Sequence, residues 1–190
     1  EEWNLTLVNS RHPLPENYSP ELSPIDGNGE QFDSRASGSL QAMLDKMREE
    51  GLSPVVCSGY RSRELQQTLF DNRVERCLDE GIAQEDAVEE ASRYVAQPGT
   101  SEHELGLAAD IVSENYQLLV EEQENTAEQQ WLMEHCTEYG FILRYPKDKT
   151  DLTGVSYEPW HYRYVGKETA QEIICLLYTS PSPRDLSTSR

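Results

Sequence analysis

"SEHELGLAADIV", residues 101–112, decides how the chain folds. It opens polar, turns at Gly106, and closes as an apolar run that carries one carboxylate, Asp110. A short apolar run after a glycine turn reads as a strand. A carboxylate inside such a strand is costly to bury unless it is paired or bound to a cation. Ala108 and Ala109 leave room beside it, and a turn at Gly106 can bring the ring of His103 and the carboxylate of Asp110 to one point. Taken alone, the two residues read as a hydrogen-bonded core pair, so the rest of the chain has to decide.

Working outward, helix-spaced and strand-like stretches alternate. "SRASGSLQAMLDKMREEG" places Leu40, Met43, Leu44 and Met47 on one helical face and stops at Gly51. "SPVVCSGYRS" predicts a buried strand from Pro54 to Ser58 that ends at Gly59. "RELQQTLFDNRVERCLDEG" predicts a second helix closed by Gly81, and a third is expected from about Gln84 to Ala96. "TAEQQWLMEHCTEYG" predicts a helix ending at Gly140, "FILRY" and "YEPWHYRYV" two strands, and "KETAQEIICLL" a last helix. The expected class is α+β: a small, mostly antiparallel sheet with helices packed against it and a metal site in a cleft. Residues 1–34, rich in Pro and Asn, are expected to form an extended arm on a domain spanning 35–174. Residues 175–190, "CLLYTSPSPRDLSTSR", break the pattern with two prolines and match an in-frame reading of a sequencing adapter. They are expected to be a non-native, disordered tail.

Composition excludes several partners. The formal charge is -19, from 35 acidic and 16 basic residues. Such a surface cannot neutralise phosphates, so nucleic acid is excluded as a partner, and anionic membrane surfaces are disfavoured. No apolar run of about 18 residues is present, so no membrane span is expected. The cysteines Cys57, Cys77, Cys136 and Cys175 include no CxxC pair, which argues against a cysteine-rich zinc site and assigns no disulfide.

The chemistry collects in three segments. "YEPWHYRYVG", residues 157–166, crowds four aromatic residues around Glu158 and His161. His103, Asp110 and His161 form a ligand set that zinc accepts in hydrolases, with a further position left for water. Glu158, stiffened by the neighbouring Pro159, can take a proton from water as it attacks a carbonyl. Alone, Glu158 reads as a surface acid. Arg61 follows a strand and Gly59, so its guanidinium projects from a sheet edge, either as a surface ion pair or as a clamp for a carboxylate or oxyanion. Gln66 can face the same cleft, and Tyr157 and Trp160 can wall it. His12 and His135 read as surface and helix-end residues.

"SGYRS", "GTSEHELGLAADI", "YGFILRYP" and "YEPWHYRYVG", in this order, resemble the VanY-type D-alanyl-D-alanine carboxypeptidases, zinc peptidases of the bacterial cell wall. "LVNSRHPLPENYSPEL" resembles the family's N-terminal arm, so the likeness covers about residues 3–174. The resemblance implies one Zn2+ held by His103, Asp110 and His161, Glu158 as base, and Arg61 stabilising the transition state or holding substrate. It implies Ser101 near the substrate's terminal carboxylate and Gln66 lining the pocket. It further implies a peptidoglycan stem peptide as partner, an extracytoplasmic place of work and a monomer. An L,D-carboxypeptidase acting on tetrapeptide stems and a peptidoglycan endopeptidase are the alternatives.

Overall fold

A computed structural model describes residues 2–26 and 28–179. Its centre is a four-stranded sheet in the order β3 (Pro54–Ser58), β4 (Ala108–Ser113), β6 (His161–Tyr164), β5 (Phe141–Leu143), antiparallel throughout. β4 is buried at every residue, which explains its unbroken apolar pattern. Side chains alternate across the sheet, so the pairing Asp110↔His161 puts both residues on one face. Tyr162, opposite Ala109, points the other way and fills the core.

That core joins helix α1 (Ser37–Glu49), with Leu40, Met43, Leu44 and Met47, to Leu107, Ala109, Ile111, Leu132 and Phe141. α2 (Arg63–Asp79) and α3 (Gln84–Ser92) pack on each other through Phe70, Cys77, Ala87 and Ala91. α4 (Glu102–Leu105) is a single turn that carries His103. α5 (Ala127–His135) passes into a 3-10 turn that ends at Gly140. α6 (Thr150–Thr153) is short, and α7 (Lys167–Thr179) closes the described chain.

The structure departs from the sequence expectations at several boundaries. α3 ends at Ser92 rather than Ala96, and the Ala96 carbonyl instead accepts from Gln66 Nε2 at 2.8 Å. The strand expected from Tyr157 begins at His161, because Pro159 has no N–H for a ladder. Residues 1–34 carry more order than an extended arm. β1 (Leu22–Pro24) and β2 (Gln31–Asp33) form a hairpin, and Val8, Leu14, Ile25 and Phe32 enter the core. α7 runs five residues beyond position 174, to Thr179. The remainder of the expected tail, 180–190, lies outside the described residues. Cys57, Cys77 and Cys136 form no disulfide. Among the described residues, no helix is long and apolar enough to cross a membrane.

Candidate metal centre and active site

The metal-facing atoms come from three elements. β4 and β6 present Asp110 and His161 side by side. α4 lays His103 over them, its ring edge-on to that of His161 with centroids 5.0 Å apart. His103 Nε2 is 3.2 Å and His161 Nδ1 3.3 Å from the same oxygen, Asp110 Oδ1. One ligand atom from each of the three residues lies within 4.8 Å of the others, and all three residues are buried.

Local sequence explains how α4 delivers its histidine. Ser101 caps the turn by accepting from the His103 N–H at 3.2 Å, and Glu104 closes a capping box. Glu104 also accepts from the Gly99 N–H at 2.8 Å and from Arg63 Nε at 3.2 Å, pinning the preceding loop. Gly106 ends the turn at φ 83°, the left-handed region that glycine enters without strain.

The outward nitrogens are fixed from behind. His103 Nδ1 lies 2.8 Å from the Gly59 carbonyl. A carbonyl only accepts, so Nδ1 carries the proton and Nε2 offers a lone pair to the centre. Gly59 has to be glycine, since a Cβ there would collide with the Gln31 carbonyl. His161 Nε2 donates to Glu102 Oε2 at 3.2 Å, which leaves Nδ1 for the metal. Asp110 Oδ2 accepts from Arg61 Nη2 at 2.8 Å, so the carboxylate presents Oδ1. This is the donor set of a zinc-type centre with its outer partners in place: two imidazoles, one carboxylate, and a positioning group behind each.

Electrostatics agree with the geometry. Burial opposes the charged form of Asp110, but His103, His161 and Arg61 hold its carboxyl far below the usual range. Burial and Arg61 push His103 down, keeping it neutral and ready to ligate. Burial also opposes a charged His161, yet hydrogen bonds to Asp110 and Glu102 push it up to about 9, so a cation has to displace a proton there. Glu158 Oε2 lies 3.6 Å from His161 Nδ1. Burial pushes its carboxyl up to about 7, in the range suited to a general base near neutrality. Its backbone N–H donates to the Tyr145 carbonyl at 3.1 Å, and the Tyr145 ring lies against His161.

The triad opens into a cleft of about 720 Å³, whose lining includes Arg61, Ser101, Tyr157, Glu158 and Trp160. Tyr157 donates its hydroxyl to Glu124 Oε2 at 2.9 Å and offers its ring to the cleft wall. Gln66 does not line the cleft. It is wholly buried and stands behind Arg61, whose Nη1 reaches Gln66 Oε1 at 3.4 Å. The substrate contact expected of Gln66 therefore gives way to a positioning role. His12 and His135 lie apart from the cleft, engaged with Asn9 and with Glu138.

Sequence reasoning missed Glu102. Its carboxylate accepts from His161, from Arg144 Nε at 2.8 Å and from Arg163 Nη1 at 3.0 Å. Arg163 in turn donates through Nη2 to the carbonyls of Asn4 and Thr6, at 3.0 and 2.9 Å. The N-terminal arm is thus tied to the histidine through two side chains. The available signal was β-strand register: Arg163 sits two residues after His161, hence on the metal face, opposite the small Ala108.

The family model of VanY, D-alanyl-D-alanine carboxypeptidase, matches residues 29–167. A D-alanyl-D-alanine carboxypeptidase of Enterococcus faecalis is 46% identical over 173 residues, which are 91% of this chain and 62% of that protein. The chain thus spans less than two thirds of that relative's length. Among solved structures, VanYB in complex with D-alanine-D-alanine superposes with a TM-score of 0.81 at 44% identity, covering 95% of this chain and 100% of the other. A point mutant of the vancomycin resistance D,D-pentapeptidase VanY in complex with Zn(II) gives 0.80 at 46%, covering 90% and 93%. The LD-carboxypeptidase LdcB gives 0.78 at 39%, covering 90% and 80%. The chain belongs to the VanY D-alanyl-D-alanine carboxypeptidase family.

Proposed function

We propose that this chain is a zinc-dependent D-alanyl-D-alanine carboxypeptidase, removing the terminal D-alanine from peptidoglycan stem peptides outside the cytoplasm. The observation that carries the reading is the convergence of His103 Nε2, Asp110 Oδ1 and His161 Nδ1, with Glu158 3.6 Å from the last of them. A zinc ion held by these three residues supplies Lewis acidity, acidifying water and polarising a carbonyl.

The chain's own residues do the rest. Glu158, with its carboxyl pushed up by burial, accepts the proton of the attacking water and returns it to the leaving amine. Arg61 holds Asp110 with Nη2 and Ser58 Oγ with Nε at 2.8 Å, so its guanidinium is fixed at the cleft wall. There it stabilises the developing oxyanion or clamps the substrate carboxylate. Ser101 lines the cleft two residues before His103, which supports its assignment to the terminal carboxylate of the substrate. Tyr157 and Trp160 wall the pocket and limit access of bulk water.

Glu158→Gln tests this. The variant is expected to keep its zinc and to lose about 10²- to 10⁴-fold in kcat on a pentapeptide stem. Full activity in that variant would sink the assignment. The likeness to LdcB favours L,D-specificity as the second reading. Hydrolysis of the tetrapeptide in preference to the pentapeptide would select it.

A further inference from the structure

The cleft does not end at the metal. Its lining continues along α2 through Leu69, Asn72, Arg73 and Arg76, which lie at helical spacing on one face. Arg73 has four-fifths or more of its side chain covered, 15% being exposed, and its guanidinium is stacked over the Tyr94 ring at 4.5 Å. Its partners are few. Nη1 reaches Glu80 Oε1 at 3.5 Å, a long contact to a half-exposed carboxylate, and Nε is buried with no hydrogen-bond partner. Arg76 makes no ion pair among the described residues. In a chain with 35 acids and 16 bases, two arginines short of carboxylate partners on one cleft wall call for a reason.

A covered guanidinium carries five donors, and leaving them unmet is unfavourable. Stacking on Tyr94 fixes its plane, which suits bidentate capture of a planar anion. We propose that Arg73, with Arg76 at the rim, forms an anion subsite for a carboxylate on the part of the peptide that stays after the terminal residue leaves. The inference rests on the carboxypeptidase reading and adds a determinant of substrate choice. Arg73 lies seven residues along α2 from Gln66, the residue of that helix that Arg61 touches. At ~1.5 Å per residue, ~10 Å of helix separates the two. An extended peptide covers that in about three residues. The carboxylate therefore lies several residues upstream of the scissile bond, well outside the reach of the metal.

The test uses acylated peptides ending in D-alanyl-D-alanine, in pairs carrying Glu or Gln at the second, third or fourth position upstream of that dipeptide. For zinc-loaded wild type, one Glu/Gln pair is expected to show about a 10- to 100-fold higher kcat/KM for Glu, expressed in KM. In Arg73→Gln that ratio is expected to fall to about 1, and in Arg73→Lys to an intermediate value. Equal cleavage of every pair by the wild type would overturn the inference while leaving the carboxypeptidase reading standing, and it decides the matter even if the variants do not fold. A ratio unchanged in a folded, zinc-loaded Arg73→Gln would overturn it equally. Cleavage of no peptide by the wild type would sink the D,D-carboxypeptidase reading, and this inference with it.

Discussion

Glu102 is the residue on which the imidazole geometry rests, and Glu102→Gln isolates its charge with little change of shape. Three charged or polar donors converge on the carboxylate, from His161, Arg144 and Arg163, and its side chain is 1% exposed. Burial opposes the anion, but His161, Arg163 and Arg144 together hold it well below the usual carboxylate range. Breaking a buried ion pair on one side costs about 3–5 kcal/mol, because the partner is left uncompensated. Two features reduce that here. Arg163 keeps the carbonyls of Tyr164, Asn4 and Thr6, and Arg144 is a quarter exposed, so water can reach it. A loss of about 2–3 kcal/mol is expected, or about 5–10 °C in Tm for a chain of this length. The amide also no longer fixes His161 Nε2–H, so zinc affinity should fall about 10- to 100-fold. Thermal unfolding with and without zinc, and competition against a chelator, measure the two effects. The sign of the pH dependence is fixed by the direction of the shift. A carboxyl lowered in the folded state contributes stability that is present above its unfolded pKa, about 4.5, and is lost as the pH falls. The gap between wild type and Glu102→Gln should therefore be widest near neutrality and close in acid. A variant with unchanged zinc affinity and a Tm within about 1 °C of wild type at pH 7 would refute the reasoning.

Further perturbations test other parts of the site. Gly59→Ala drives a methyl into the Gln31 carbonyl and shifts the acceptor of His103 Nδ1, so stability should drop by about 1–3 kcal/mol and zinc be held more weakly, as unfolding and chelator titration would show. Arg61→Lys keeps the charge but cannot hold Ser58 and Asp110 at once; kcat/KM is expected to fall about 10²-fold with zinc retained, and wild-type kinetics would argue against a role at the cleft. Zinc affinity should weaken as the pH falls below about 9, by up to about tenfold per unit, because His161 must release a proton to bind; a pH-independent affinity would contradict its pairing with Asp110 and Glu102.

Much of the site was legible because its residues sit where ordinary folding rules disfavour them. Asp110 stood out as a carboxylate in an apolar strand, and the structure surrounds it with two histidines and an arginine. His161 was legible from its neighbours, and the register Asp110↔His161 supplies the reason the two distant segments meet. Gly106 and Gly59 marked turns that the backbone requires. Glu102 gave no cue of its own, being one acid among 35; the strand register pointed only to its partner Arg163, and its importance depends on arginines that arrive from β6 and from just after β5. Gln66 was misplaced for a related reason. Helical spacing gives a face but not what lies between that face and the cleft, and here Arg61 lies between. The β1–β2 hairpin did leave a signal, "DGNG" between two short extended runs, with Asp26 at φ 57° and Gly29 at φ 91°. The surrounding prolines masked it as an arm.

The arrangement also explains why the N-terminal segment belongs to the chemistry although it supplies no ligand. Asn4 and Thr6 hold Arg163 by their carbonyls, Arg163 holds Glu102, and Glu102 orients His161. Trp3 adds a stacked contact with Tyr164, and the Asn4 side chain donates to the Val165 carbonyl at 2.6 Å. Each link is a buried or half-buried polar contact whose loss leaves a charge or a donor unmet, so the links fail together rather than singly. Removing residues 2–7 is therefore expected to weaken zinc binding in the same direction as Glu102→Gln. A combined variant should lose less than the sum of the two, because both act through one imidazole. Chelator titration of the truncated chain, the point variant and the combination makes that a closed cycle. Additive losses would mean that the arm stabilises the fold without steering the metal centre.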